Sequence, residues 1–361
     1  MSVDMNLHRR AFVQGLALLA AAGPARAQGF AGLGGEADGY APVVRGRALT
    51  FPADHGAHPQ FRIEWWYVTA NLRGEDGEAY GAQWTLFRQA MAPGDEGQGW
   101  DSRQLWMGHA AVTSAGQHLF AERLARGGVG QAGATAAPFY AFIDVWELRA
   151  LDGASGQTLA PLALVASSTD FRIDLRLDAT RPVVLQGEGG YSEKSTRGQA
   201  SYYYSQPFFT AQGEIALAGR RVVVTGQAWL DREWSSQPLA PDQKGWDWMS
   251  LHLGSGDKVM LFRLRQDDGA DYRSGNWIDP DGTTHVLAAS DIAMTPTAWT
   301  TIGAHVVPTS WTVAIASRGL NITLTPLNAQ SWMGTSIPYW EGPVRIEGGL
   351  GGVGYLEATG Y

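Results

Sequence analysis

Residues 63–72 read IEWWYVTANL, and after a turn the chain continues TLFRQ over 85–89. Apolar and polar side chains alternate through both stretches, the period of half-buried strands. A second unit echoes the first: GWDWMSLHL (245–253), a turn, then VMLFRLR (259–265). Each unit opens on tryptophans beside an acid and finishes on Leu-Phe-Arg. The segments that end the two units also match, GQAWLD (226–231) against GVGYLE (352–357). Further alternating segments occur at 80–88, 104–113, 139–150, 171–177, 183–188, 213–217 and 221–230, with Gly, Asp, Asn or Pro in most gaps. No run of twelve residues has capped helical spacing. The expectation is an all-β chain of two related antiparallel β-barrel domains packed together, 41–236 and 237–361. A barrel closes its sheet edges around a lumen that side chains or one apolar ligand fill, and two packed barrels add a third cavity at their interface.

Composition narrows the function. The chain has 361 residues, a net charge of -8 and no cysteine. Disulfides, thiolate nucleophiles, cysteine zinc sites and lipoprotein anchors are therefore excluded. Residues 1–27 carry Arg9, Arg10 and Arg26 against Asp4, so the remainder is more acidic than the whole and a poor partner for nucleic acid. The 46 glycines suit many turns, and the 15 tryptophans must fill cores or line a ligand site.

RRAFV (9–13), an Ala/Leu-rich stretch and Ala25-Arg26-Ala27 read as a twin-arginine signal peptide cleaved after Ala27, which places the mature protein in the periplasm or outside the cell. His8 and Gln14 stand where Ser or Thr and Lys are commoner, so an ordinary secretory signal is the other reading. Residues 28–40 read as a flexible arm. No second apolar stretch reaches the length of a membrane span, so a soluble mature chain is expected, with peripheral membrane contact left open.

DHGAHPQFRIEWWYVTANL (54–72), GQAWLDREWSSQPL (226–239), GWDWMSLHL (245–253) and YWEGPVRIEGGLGGVGYLEATGY (339–361) together resemble the secreted AttH-like branch of the carotenoid 1,2-hydratase (hydroxyneurosporene synthase) family. The resemblance runs from about Pro52 to Tyr361. It implies two lipocalin-like barrels, a hydrophobic small-molecule ligand and, for many members, an accompanying ABC transporter. Hydratases of the family act on acyclic carotenoids. Other members carry only a secreted-hydrolase label, and no G-x-S-x-G nucleophile elbow supports that label here.

Hydrating an isolated alkene needs a strong proton donor and a surface that tolerates a tertiary carbocation. A carboxylic acid kept neutral by burial supplies the first, aromatic faces the second. Asp231, with Trp229 two residues before it on a shared strand face and Trp234 three after, fits best. The resemblance makes Asp231 the proton donor of a hydro-lyase. It places Tyr202 and Tyr204, in SYYYSQP (201–207), where hydratases have a His-x-Trp pair, and Trp229 at the aromatic position. The missing histidine weighs toward a carrier. The alternative for Asp231 is a salt bridge to Arg232, Arg220 or Arg221, and Arg232 with Glu233 reads as an ion pair between the domains. Glu64, Trp65, Trp66 and Tyr67 form a second candidate set, in which Glu64 either lies inside as a second acid or pairs with Arg62. Trp246 and Trp248, around Asp247, repeat the pattern in the second domain.

Other signals are weaker. Asp54, His55 and His58 form D-H-x-x-H, too few ligands for a metal centre. His109 reads as a hydrogen-bonded structural histidine. The G-x-G-x-x-G strings at 128–133 and 349–354 open no helix. No cofactor is implied, and the oligomeric state is open. Two functions remain in front: a periplasmic carrier of an isoprenoid or lipid, and an acid-catalysed hydratase working from Asp231. Sugar binding on exposed tryptophans is a third. Loops at 91–103, 126–138 and 266–275 are expected to shape the cavity.

Overall fold

A computed structural model describes residues 30–361 apart from 270 and 350. The signal-peptide reading at 1–27 lies outside the described residues. Within them the chain is all-β, with only three-residue 3-10 turns besides strands and no α-helix. The strands form two antiparallel sheets, a nearly closed barrel and a half-barrel, packed as two lipocalin-like domains. The first sheet runs from the strand Ile63–Gly74 to the strand Arg220–Ser235, the second from Gln243–Leu253 to Gly352–Thr359. In each sheet the first strand pairs with the last, Tyr67 opposite Asp231 and Trp248 opposite Glu357. The sequence repeat is thus a repeat of topology.

The strand Phe171–Asp178, FRIDLRLD, shows the simplest physics: every second residue is buried and its neighbours face water. Arg220–Ser235 begins the same way, but from Ala228 every residue is buried. The second domain covers the outer face from that point. Ala228, Leu230 and Trp234 fill the first barrel, while Trp229 joins a separate cluster between the domains with Tyr67, Tyr203, Trp248, Phe262 and Tyr355. Each such large apolar side chain stabilises the packing by roughly 1.5–3 kcal/mol.

The lumen of the first barrel is filled. Glu64 pairs there with Arg88 and Arg232, and the Arg232 guanidinium lies 3.9 Å over the Trp66 ring. His58 stacks on Trp234 at 4.1 Å and bonds Asp54 at 2.9 Å, and His55 bonds the Tyr204 hydroxyl at 2.6 Å. The D-H-x-x-H segment is a plug of this lumen, and no metal-ligand cluster occurs among the described residues. In the second domain Asp247 pairs with Arg263 at 2.8 Å, next to the Trp311 core.

Candidate active site

With the first lumen filled, open space remains between the domains. A cavity of about 440 Å³ lies where the outer face of Ile63–Gly74, Ala200–Leu217 and Arg220–Ser235 meets that of Gln243–Leu253, Lys258–Gln266 and Gly352–Thr359. Trp65, Phe87, Met107, Trp246, Trp248 and Phe262 supply much of its apolar wall. Its non-strand borders are residues 31–33, Lys194, Pro238 with Leu239, and Ser336 with Ile337. No described residue of the loops at 91–103, 126–138 and 266–275 lines it, although these loops leave strands whose ends do. Arg62 holds the arm in place by donating to the carbonyl of Leu33 at 2.7 Å.

Asp231 opens onto this cavity and is 2% exposed. The indole N–H of Trp229 donates to its Oδ1 at 2.7 Å, and the Ser205 hydroxyl donates to the same atom. Tyr203 is hydrogen-bonded to it as well. Burial pushes the carboxyl up to about 7, against these hydrogen bonds and with help from the charge of Glu233. No arginine offsets this. Arg232 points the other way to Glu64, Arg220 pairs with Asp76 and Arg221 with Glu214. Glu233 is held by Lys194 at 2.8 Å and by Ser201, both of its own domain, so the expected Arg232–Glu233 pair between the domains does not form.

Glu357 reaches the cavity from the second domain and is half-buried. Trp246 Nε1 donates to its Oε1 at 2.8 Å. Burial pushes it up, with the charges of Asp231 and Glu233 adding to the effect. Glu341 lies opposite Glu357 on the neighbouring strand and is 2% exposed. It accepts from the Tyr67 hydroxyl and is bonded to Tyr339. Tyr339 also bonds His109 Nδ1 at 2.9 Å, and His109 Nε2 lies 3.1 Å from Glu122.

The structure divides the sequence candidates. Asp231, Trp65, Trp246 and Trp248 border the cavity, and Trp229 stands beside it bonded to Asp231. Tyr202 and Tyr204 do not face Asp231. Side chains alternate, so Tyr203 and Ser205 take that face while Tyr202 and Tyr204 enter the first lumen. Glu64, Trp66 and Trp234 also lie in that lumen, and of the two readings for Glu64 the inside position holds, with Arg88 and Arg232 as its partners and not Arg62. Tyr67, of the second candidate set, also borders the cavity; sequence reasoning passed over Tyr203, Glu341 and Glu357, and gave Glu233 and His109 only structural roles. The match of WLD with YLE already set Glu357 in the place of Asp231 and was the signal for it. Trp100 and Trp299 are the largely exposed tryptophans among the described residues, which leaves the sugar-platform reading without a built surface.

The AttH-like family model matches residues 42–361. The crystal structure of an AttH from Nitrosomonas europaea superposes with a TM-score of 0.78 at 33% identity, covering 89% of this chain and 99% of that one. Kievitone hydratase from Nectria haematococca superposes at 0.65 with 13% identity, covering 89% and 96%, a likeness of fold. CghA, solved with Sch210972, reaches 0.50 at 11% identity over 90% and 97%. Curated protein sequences give no match.

Proposed function

The chain belongs to the AttH-like family, and from that premise we propose that it holds a compact, mostly apolar, unsaturated molecule between its domains and adds water across a carbon–carbon double bond, with Asp231 as proton donor. One observation carries the reading: a carboxyl group pushed up to about 7 in an aromatic cavity, without a cationic partner. A carrier needs the cavity alone. Burying an unpaired acid costs stability, and a group poised near neutral pH is what proton transfer needs. The volume lies within the range of pockets for drug-sized ligands, which favours an isoprenoid shorter than a carotenoid or one end of a long one.

In this mechanism Asp231 protonates the less substituted alkene carbon, and the π electrons form the new C–H bond. Trp65, Trp246 and Trp248 line the space where the tertiary cation develops, and their ring faces stabilise it. Water then forms the C–O bond. The site of action is proposed to be the periplasm, on RRAFV and Ala25-Arg26-Ala27, and an ABC transporter is the proposed partner if the molecule is a carrier.

The test uses residues 28–361 with geranylgeraniol and, as the long homologue, lycopene. Mass spectrometry of bound and released lipid is expected to show a product heavier by one water, absent with Asp231→Asn. Lipid that binds and returns unchanged supports the carrier instead, and neither binding nor turnover overturns both.

A further inference from the structure

We propose that Glu357, backed by Glu341, is the base of this site: it takes the proton released by the incoming water, and the pair passes that proton toward the surface through Tyr339, His109 and Glu122. The proposal rests on the hydration reading above and adds residues to it.

Four observations converge. Glu341 and Glu357 are directly opposed on neighbouring strands, where two like charges repel, so the pair is best accommodated with one shared proton. Neither carboxylate has a salt bridge among the described residues. Lys194, which borders the same cavity, is engaged by Glu233. Second, neutral donors face the pair, Tyr67 on Glu341 and Trp246 on Glu357, while Tyr339, its own proton turned to His109, offers its oxygen to the proton on Glu341. They favour one negative charge, which also steadies a cation in the cavity. Third, Glu341 Oε2 is buried with no hydrogen-bond partner, an acceptor left for a shared proton or a water.

Fourth, a continuous chain leads out. Burial lowers the basicity of His109, so its ring is neutral near pH 7. Glu122 accepts at Nε2, which puts the ring proton there and leaves Nδ1 to accept from Tyr339. Glu122 is bonded in turn to the exposed Ser336. A neutral imidazole between a phenol and a carboxylate passes a proton in either direction. Because Glu357 borders the cavity it is placed to touch substrate. Glu341, set behind it, is a positioning residue.

The step balances. An O–H bond of Asp231 breaks as the C–H bond forms. The water oxygen forms the C–O bond, and its O–H bond breaks toward the Glu357 carboxylate, ionised at that step because the pair's one proton then lies on Glu341. Asp231 regains a proton from solvent after product leaves. The net change is alkene plus water to tertiary alcohol.

The experiment is run in D2O with geranylgeraniol and lycopene. Wild type is expected to give deuterated alcohol. Glu357→Gln is expected to lower alcohol formation at least ~100-fold while deuterium still enters the recovered or isomerised alkene, since protonation by Asp231 survives and the cation reverts. Asp231→Asn loses both. Glu341→Gln is expected to shift the basic dependence of kcat, with rescue by Glu341→Asp. Infrared difference spectra at pH 7 should show a protonated carboxyl that disappears in the Glu341→Gln/Glu357→Gln pair. Alcohol formation by Glu357→Gln within a few-fold of wild type overturns the inference. So does loss of exchange together with hydration in a folded variant, or a spectrum with both groups ionised or both protonated. A wild type silent in both exchange and hydration overturns the hydration reading itself, whatever the spectrum shows.

Discussion

Asp231 and Glu64 lie on neighbouring strands of one sheet, yet their surroundings drive them in opposite directions. Two guanidiniums hold Glu64 well below the usual carboxylate range despite full burial. Asp231 has only neutral donors and is pushed up to about 7. The sign for stability follows. A raised folded value means stability that is complete below the unfolded value near 4 and lost as pH rises through about 7. Asp231→Asn should therefore match wild type in urea midpoint at pH 4 and exceed it at pH 8, by of order 2–4 kcal/mol. Hydration should likewise fall as pH rises through that value. Replacing Arg88 or Arg232 by Met strands the buried Glu64 charge and should cost about 3–5 kcal/mol in urea unfolding. Both carboxylates were legible as unusual acids among tryptophans. Which of them would meet arginine was not, because Arg88 lies on the next strand and Arg232 acts from the face opposite Asp231.

Strand Arg220–Ser235 carries the element-scale lesson. Gly226 pairs with Leu72, and a Cβ there would lie 2.0 Å from the Asn71 carbonyl oxygen. Gly352 is its counterpart before Glu357, with a Cβ 2.2 Å from the His252 oxygen. Both let a strand approach its partner closely enough to seat the acid that follows. Gly226→Ala should destabilise by about 1–3 kcal/mol and reduce hydration further than that loss explains, seen by comparing turnover with urea midpoint. Alternation along this strand could be read from the sequence. Which parity faced the second domain could not, and that single-residue ambiguity is why Tyr202 and Tyr204 stood where Tyr203 and Ser205 belong.

For the whole molecule, the site exists only while the two sheets are docked. Asp231 comes from the first and Glu357 from the second, and the cavity is the gap between them. Gly81 marks how close the domains come: a Cβ there would lie 2.6 Å from both Pro343 Cγ and the Tyr355 hydroxyl. Gly81→Val should wedge the interface open, leaving far-ultraviolet dichroism unchanged while geranylgeraniol affinity falls at least tenfold. Strand alternation, turn residues and the internal repeat were enough for an all-β chain of two related halves, because periodicity is a local property of the chain. The repeat even paired Asp231 with Glu357. Lumen, surface and interface are properties of which neighbours cover a face, and those neighbours come from strands far apart in sequence. Only the docked sheets decided that the tryptophan-rich lumen of the first barrel is filled and held by ions, and that the acids left without cations meet in the space between.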